Sequence, residues 1–377
     1  MFDDIRPYYN AEIPAAMQRI ALHEAFPVLA RFVFPDRDVE SVRRMVASIE
    51  CIEEFQQQVM YYANRQIIER STTAFTCGGV ENIDPQQNYL YVSNHRDIML
   101  DAALLQNVFL EHHIDTAEIT FGENLMRGEL VIDIGKSNKM FKVERPGGSI
   151  MEFYKASMHL SDYIRNTLLE RHQSVWIAQR NGRTKDGIDR TDQGIIKMFA
   201  MSRNDDQVKS IAELNILPVA VSYEWESCDV LKTLELYSRR QGPYKKAEGE
   251  DLNSILTGIL QPKGRVHFEL CRPVALDELE PFALSNATEY HKQVARLIDQ
   301  RICSAYRLMP NNYIAHDLLS GTETYADQYS TDQKNAFVAH MAQLDDYADR
   351  YDLATLRSIF LGIYASPVDS KLLFAKL

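Results

Sequence analysis

Residues 94–101, "NHRDIMLD", set one histidine beside two carboxylates within eight positions. An imidazole titrates near neutrality, so it can take a proton and return it. A carboxylate on its far ring nitrogen would fix the tautomer and steady the imidazolium. His95 is therefore a candidate general base. Its partner is either Asp97 or Asp101. On a regular helix the six-residue step to Asp101 turns through about 600° and holds the two side chains apart. A His95–Asp101 pair thus requires a bend before Ile98. Asp101 is preferred, because Asp97 also suits the N-cap of the helix expected from Ile98. On this stretch alone a plainer account stands beside the catalytic one: both acids cap the helix and His95 is a hydrogen-bonded turn residue.

Two other chemistries fail on spacing. His-Arg-Asp is found in protein-kinase catalytic loops, which need an asparagine five residues beyond the aspartate. That position is Ala102, and neither a glycine-rich phosphate loop nor Asp-Phe-Gly accompanies it. For a metal, His112 and His113 are adjacent and would diverge on a helix, and no His-Glu-x-x-His occurs. No metal site is expected. The five cysteines are scattered and lack metal-ligand spacing, which fits a reducing cytoplasm better than a disulfide framework.

The elements that must position His95 follow from periodicity. "NYLYVS" reads as a strand, Asn94 to Asp97 as a polar turn and 98–111 as a helix. Six more runs read as strands: "TAFTCGGV", "AEITFG", "MFKVE", "SVWIAQ", "NILPVAVSY" and "RVHFELC". Helical stretches at 149–171, 228–240 and 286–307 lie among them. This grammar predicts an α/β domain over 71–310 with a mixed, largely parallel sheet flanked by helices. Residues 1–70 and 311–377 read as helical additions, with Pro27 and Pro35 breaking the first pattern. The stretch 241–253 reads as a mobile surface loop. The opening 26 residues have neither a basic leader nor an uncharged apolar run, which argues against a signal peptide. No spanning helix is expected. A net charge of −12 disfavours nucleic acid as a partner.

Other segments extend the meaning of "NHRDIMLD", which resembles the first motif of the glycerolipid acyltransferases, the lysophosphatidic-acid and glycerol-3-phosphate acyltransferase superfamily. "KMFKVERPG", with Phe141 and Arg145, resembles the second motif. "VWIAQRNGRTKDG" resembles the third and "NILPVAVSYE", with Pro218-Val219, the fourth. "KGRVHFELCRPV" resembles the strand that follows. The four motifs occur in the family's order, and the resemblance covers roughly 85–275.

Two departures accompany it. The family places four residues between histidine and aspartate, whereas five separate His95 from Asp101. The family's Glu-Gly turn aligns its glutamate with Asn181, or with Arg180 when anchored on "RTKDG"; neither is acidic. An acceptor other than the family's is therefore a live alternative.

The resemblance implies an acyltransferase of the glycerolipid type. A fatty acyl group would pass from a thioester, acyl-CoA or an acyl carrier protein, to a hydroxyl of a lysophospholipid or glycerol-phosphate-type acceptor. His95 would be the base and Asp101 or Asp97 its partner, with no resident cofactor. Asn94, Arg145, Arg180, Asn181, Gly182, Arg183 and Lys185 would contact substrate. Most of them fall at or just beyond strand ends, where α/β sheets place ligands. Arginine forks match phosphate geometry, and an Asn-Gly turn lets backbone N–H groups approach an anion. A lipid acceptor implies docking at a membrane surface, hence a cytoplasmic protein peripheral to the inner face. Residues 149–172 are amphipathic, which fits a bilayer surface or packing on the sheet. Two rivals stand: acylation of an amino-acid lipid or other non-phosphate amphiphile, and a non-catalytic lipid-binding protein on the same fold. Oligomeric state is not legible.

Overall fold

The computed structural model of the chain describes residues 2–144, 148–203 and 206–375. Its centre is a seven-stranded sheet: β1 (Thr72–Gly78), β2 (Leu90–Ser93), β3 (Glu118–Gly122), β4 (Met140–Val143), β5 (Val175–Ala178), β6 (Ile216–Tyr223) and β7 (Gly264–Leu270). The order is β1-β7-β6-β2-β5-β3-β4, and all neighbours are parallel except β6 and β7. The mixed, largely parallel sheet expected from the sequence is the one found.

Side-chain alternation along the strands builds two cores. Leu90, Val92, Val175, Ile177 and Ile216 face one way, onto the helices Ile150–Leu169, Gln193–Ala200 and Ala287–Ala305. Tyr89, Tyr91, Trp176 and Leu217 face the other, onto the helices Tyr61–Ser71 and Leu100–Glu111. Residues of opposite parity go to opposite faces, as a two-residue period dictates. β2 and β6 are buried along their whole length, which their nearly continuous apolar sequence permits.

Helices precede and follow the sheet. Pro27 falls in the first turn of Phe26–Val33, where its missing N–H costs nothing, and Pro35 lies just past its end. The C-terminal helix Leu353–Ala375 packs against the helix Pro310–Ser320 and buries Tyr364 and Phe360. One stretch differs from expectation. Helix Glu250–Leu260 begins inside the supposed loop, entered through Gly249 at φ +78°, so only 242–249 lack regular structure. The glycine takes the left-handed conformation at little cost, and a leucine stripe (Leu252, Leu256, Leu260) runs along the helix. No helix among the described residues is long and apolar enough to cross a membrane.

Candidate active site

β2 ends at Ser93, yet helix geometry begins only at Leu100. In the interval the chain curls around the carboxylate of Asp101. Its Oδ2 accepts from His95 Nδ1 at 2.9 Å, from the Arg96 N–H at 2.6 Å and from the Asp97 N–H at 2.9 Å. Its Oδ1 accepts from the Tyr223 hydroxyl at 2.8 Å. The non-helical turn is the bend that pairing His95 with Asp101 demands. Because a carboxylate only accepts, Nδ1 carries the proton and Nε2 presents its lone pair. Burial, and then the charge of Asp101, push the Tyr223 phenol well above its ordinary value, so it stays a donor.

Asp97 has other work. Its Oδ1 accepts from the N–H groups of Met99 and Leu100, both at 2.9 Å, and its Oδ2 accepts from the Ser227 hydroxyl. It opens the helix rather than touching the imidazole. Asn94, expected to contact substrate, is fully buried. Its amide exchanges hydrogen bonds with the Val221 backbone at 2.7 and 2.9 Å and donates to Asp189 at 2.9 Å. With every polar group engaged, Asn94 pins the end of β2 to β6 and does not line the cavity.

Arg96 is the hub of a buried charge network. Its guanidinium meets Asp189 at 2.5 Å and Glu226 at 3.1 Å. Lys232 Nζ donates to Glu226 at 2.6 Å and to the Arg96 carbonyl at 2.7 Å. Burial alone would lower the Arg96 pKa, but the two carboxylates outweigh it and the net direction is up. The network extends to the C-terminal helix. The Glu226 N–H donates to the Tyr364 hydroxyl at 3.0 Å, and that hydroxyl donates to Asp229 at 2.7 Å. Removing one member would leave a buried charge unpaired, which is why such networks hold a turn rigidly.

In front of His95 lies a cavity of about 640 Å³, mostly apolar, at the C-terminal ends of β3, β4 and β5. Ile119, Met140, Leu160, Ile195 and Met198 furnish its walls. Ile150, Phe153 and Tyr154, which also line it, are 90%, 64% and 50% exposed and mark its opening. The amphipathic 149–172 segment therefore has two fates. Tyr163, Ile164 and Leu168 pack on the sheet, while its first turns border the cavity in solvent. Trp176 stands edge-on to His95 with ring centroids 5.7 Å apart. Its indole N–H is buried and has no partner.

The third motif forms a strap after β5. Arg180, Asn181 and Gly182 line the cavity, and the strap turns at Gly182 with φ +76°. The Thr184 N–H donates to the His95 carbonyl at 2.7 Å, tying the strap to the histidine turn. Arg183 is buried beside the cavity without lining it, and its Nη1 has no partner. Lys185 is ion-paired with Glu235, which also binds Arg239 at 2.8 Å. It does not reach the cavity, because that acid, 50 residues away in sequence, holds its ammonium elsewhere. Arg145 lies outside the described residues. Among the described residues no group of His, Cys, Asp or Glu converges as metal ligands would.

Sequence reasoning missed Trp176, Tyr223 and Arg96 as parts of this site. A tryptophan within an apolar strand reads as core, and Tyr223 meets Asp101 only across 122 residues. For Arg96 the burial of a charge was the missing signal.

Residues 74–222 match the Acyltransferase family model. Among solved structures, the 1-acyl-sn-glycerophosphate (LPA) acyltransferase PlsC from Thermotoga maritima matches at 17% identity, over 77% of this chain and 95% of that one, with a TM-score of 0.36. No curated protein sequence matches significantly. The family match spans the histidine turn, the cavity strands and the strap, so the α/β core of this chain, over residues 74–222, is similar to acyltransferase domains.

Proposed function

We propose that the protein moves a fatty acyl group from a thioester to a hydroxyl of a lysophospholipid or glycerol-phosphate-type acceptor. One observation carries this reading: an imidazole oriented by a buried carboxylate borders a large apolar cavity. The cavity suits an acyl chain, whose burial releases roughly 0.8 kcal/mol per methylene. His95 Nε2 takes the proton of the acceptor hydroxyl as its oxygen attacks the thioester carbonyl carbon. The carbonyl electron pair moves onto oxygen, where the unpartnered Trp176 N–H supplies a donor. Collapse of the tetrahedral adduct breaks the C–S bond, and the thiolate takes the proton back from the imidazolium. The thioester is already activated, so no covalent enzyme intermediate is needed.

Arg180 at the cavity, and Arg145 by its motif, are the residues we assign to the acceptor phosphate, since a guanidinium fork pairs with phosphate oxygens. The exposed Ile150, Phe153 and Tyr154 suit entry of a lipid from a membrane surface. Incubating purified protein with labelled palmitoyl-CoA and extracted polar lipids, then identifying products by mass, tests the acceptor. An acylated phosphate-bearing lipid is expected. Products confined to amino-acid lipids or other phosphate-free amphiphiles would overturn the acceptor. Absence of any product would favour a lipid-binding protein.

A further inference from the structure

The C-terminal helices lie outside residues 74–222, yet they reach the histidine turn. Tyr364, on the helix Leu353–Ala375, is buried, with its ring edge-on to Phe337 at 5.1 Å and tilted against Phe360 at 5.2 Å. That packing fixes where its hydroxyl sits. The hydroxyl accepts from the Glu226 N–H at 3.0 Å and donates to Asp229 Oδ2 at 2.7 Å, so it is engaged both as acceptor and as donor. His340, on the helix Thr331–Met341, donates from Nε2 to the same carboxylate oxygen at 2.7 Å, and its Nδ1 accepts from the Gln343 amide at 2.9 Å. Two helices from beyond the sheet thus converge on the segment 226–229.

That segment grips the residue next to His95 twice. Glu226 binds the Arg96 guanidinium at 3.1 Å and Lys232 at 2.6 Å, and Lys232 in turn donates to the Arg96 carbonyl at 2.7 Å. A second route runs through the strap. Gly187, at φ +77°, passes so close to the Ile363 carbonyl that a Cβ would collide with it, and the Gly187 carbonyl accepts from Arg96 at 3.3 Å. Ile363 and Tyr364 therefore bear on Arg96 from two sides. Arg96, Glu226 and Lys232 are all buried charges. Stability alone does not call for them, since apolar side chains of similar volume hold a core as well or better. A turn that must keep one geometry does. The Arg96 N–H lies 2.6 Å from Asp101 Oδ2, the oxygen that orients the imidazole.

We propose that Tyr364 is a positioning residue of the acyl-transfer site, acting through Glu226 and Arg96 on the turn that carries His95, an inference that rests on the acyl-transfer reading. It does not line the cavity. By fixing the Glu226 backbone it fixes the carboxylate that Arg96 meets, and so the placement of the two N–H groups that share Asp101 with His95. His340 supports the same relay from its outer end by holding Asp229. The C-terminal helices are thereby a working part of the site and not an appendage to it.

Tyr364→Phe in the full chain keeps the ring and deletes the hydroxyl. Tyr329→Phe is its control, because Tyr329 donates to Asp317 at 2.9 Å in the same helical region without reaching the turn. Hydrogen exchange at residues 94–98 reads the turn without requiring turnover, since the Arg96 and Asp97 N–H groups end on Asp101. In Tyr364→Phe exchange there should quicken by about tenfold, the worth of one buried hydrogen bond, while residues 264–270 of β7 keep the wild-type rate. Its kcat should fall by about tenfold, with KM for the thioester within a few-fold of wild type. Tyr329→Phe should match wild type in both readouts. Should Tyr364→Phe fail to fold, His340→Ala is read in the same way; exchange should quicken by about threefold, because Tyr364 still donates to Asp229. Wild-type exchange at 94–98 in the variant read would overturn the proposal. So would quickening that is equal along the whole chain or equal in Tyr329→Phe, or a rise in KM with kcat unchanged. If the turn loosens as described but wild type transfers no acyl group, the relay stands and the acyl-transfer reading falls.

Discussion

His95 Nδ1 lies 2.9 Å from Asp101 Oδ2 across five intervening residues, because the chain between them is not helical. The same carboxylate oxygen takes the N–H groups of Arg96 and Asp97, so one acid both folds the turn and orients the ring. Asp101→Asn should therefore lower kcat by about 10²–10⁴-fold, since an amide cannot favour the same tautomer without disturbing three donors. Steady-state rates give the test. A variant with full kcat would show that the carboxylate only shapes the turn.

Asp97 predicts a different pattern. Its carboxylate satisfies two N–H groups at the start of a buried helix and accepts from Ser227. Asp97→Ala should cost about 1–3 kcal/mol in urea unfolding. Rates measured well below the unfolding midpoint should fall less than for Asp101→Asn. The reverse ranking would exchange the roles assigned to the two acids.

Trp176→Phe keeps an aromatic ring beside His95 but deletes the unpartnered N–H. If that N–H meets the oxyanion, kcat should fall by about 10²-fold while KM for the thioester stays within a few-fold. A variant with unchanged kcat removes Trp176 from the chemistry.

The cavity predicts chain-length selection. Ser157 and Leu160 line it from the helix Ile150–Leu169. Ser157→Trp fills part of that volume and should shift preference toward shorter acyl chains when short and long thioesters compete. An unshifted product ratio would place the acyl chain elsewhere.

Burial pushes the Asp299 carboxyl up to about 6 from its usual 3.8. The folded state then binds this proton more tightly than the unfolded chain does. That contribution to stability is complete below about pH 4 and is lost as pH rises through 6. Asp299→Asn can still accept from Thr191 and escapes the loss. Relative to wild type it should gain about 1–3 kcal/mol between pH 4 and 7.5, read from unfolding curves at each pH. Parallel pH profiles for the two proteins would contradict the assignment.

Much of the frame was legible in the sequence because it is written locally. Every strand is a short β-branched or aromatic run, and a two-residue period assigns each side chain its face. Shorter helices such as Gln207–Ala212 escaped notice, since six residues show too little of a helical period. The site was readable in part. Asn-His-Arg-Asp marks the turn, but whether His95 meets Asp97 or Asp101 depends on a backbone bend that no spacing rule supplies. Lys185 and Asn94 looked available for substrate because their partners, Glu235 and Val221, are remote in sequence. Nothing local in the sequence marks Arg96, and only the folded chain surrounds it with Asp189 and Glu226.

The most direct test is single-turnover acyl transfer from a long-chain thioester to a lysophospholipid by wild type and His95→Ala, with melting temperature recorded alongside. The ring borders a cavity and its side chain bonds one acid, so its loss should leave the fold intact. The account predicts a loss of at least about 10²-fold in the transfer rate with an unchanged melt. A folded His95→Ala protein that transfers at the wild-type rate contradicts it.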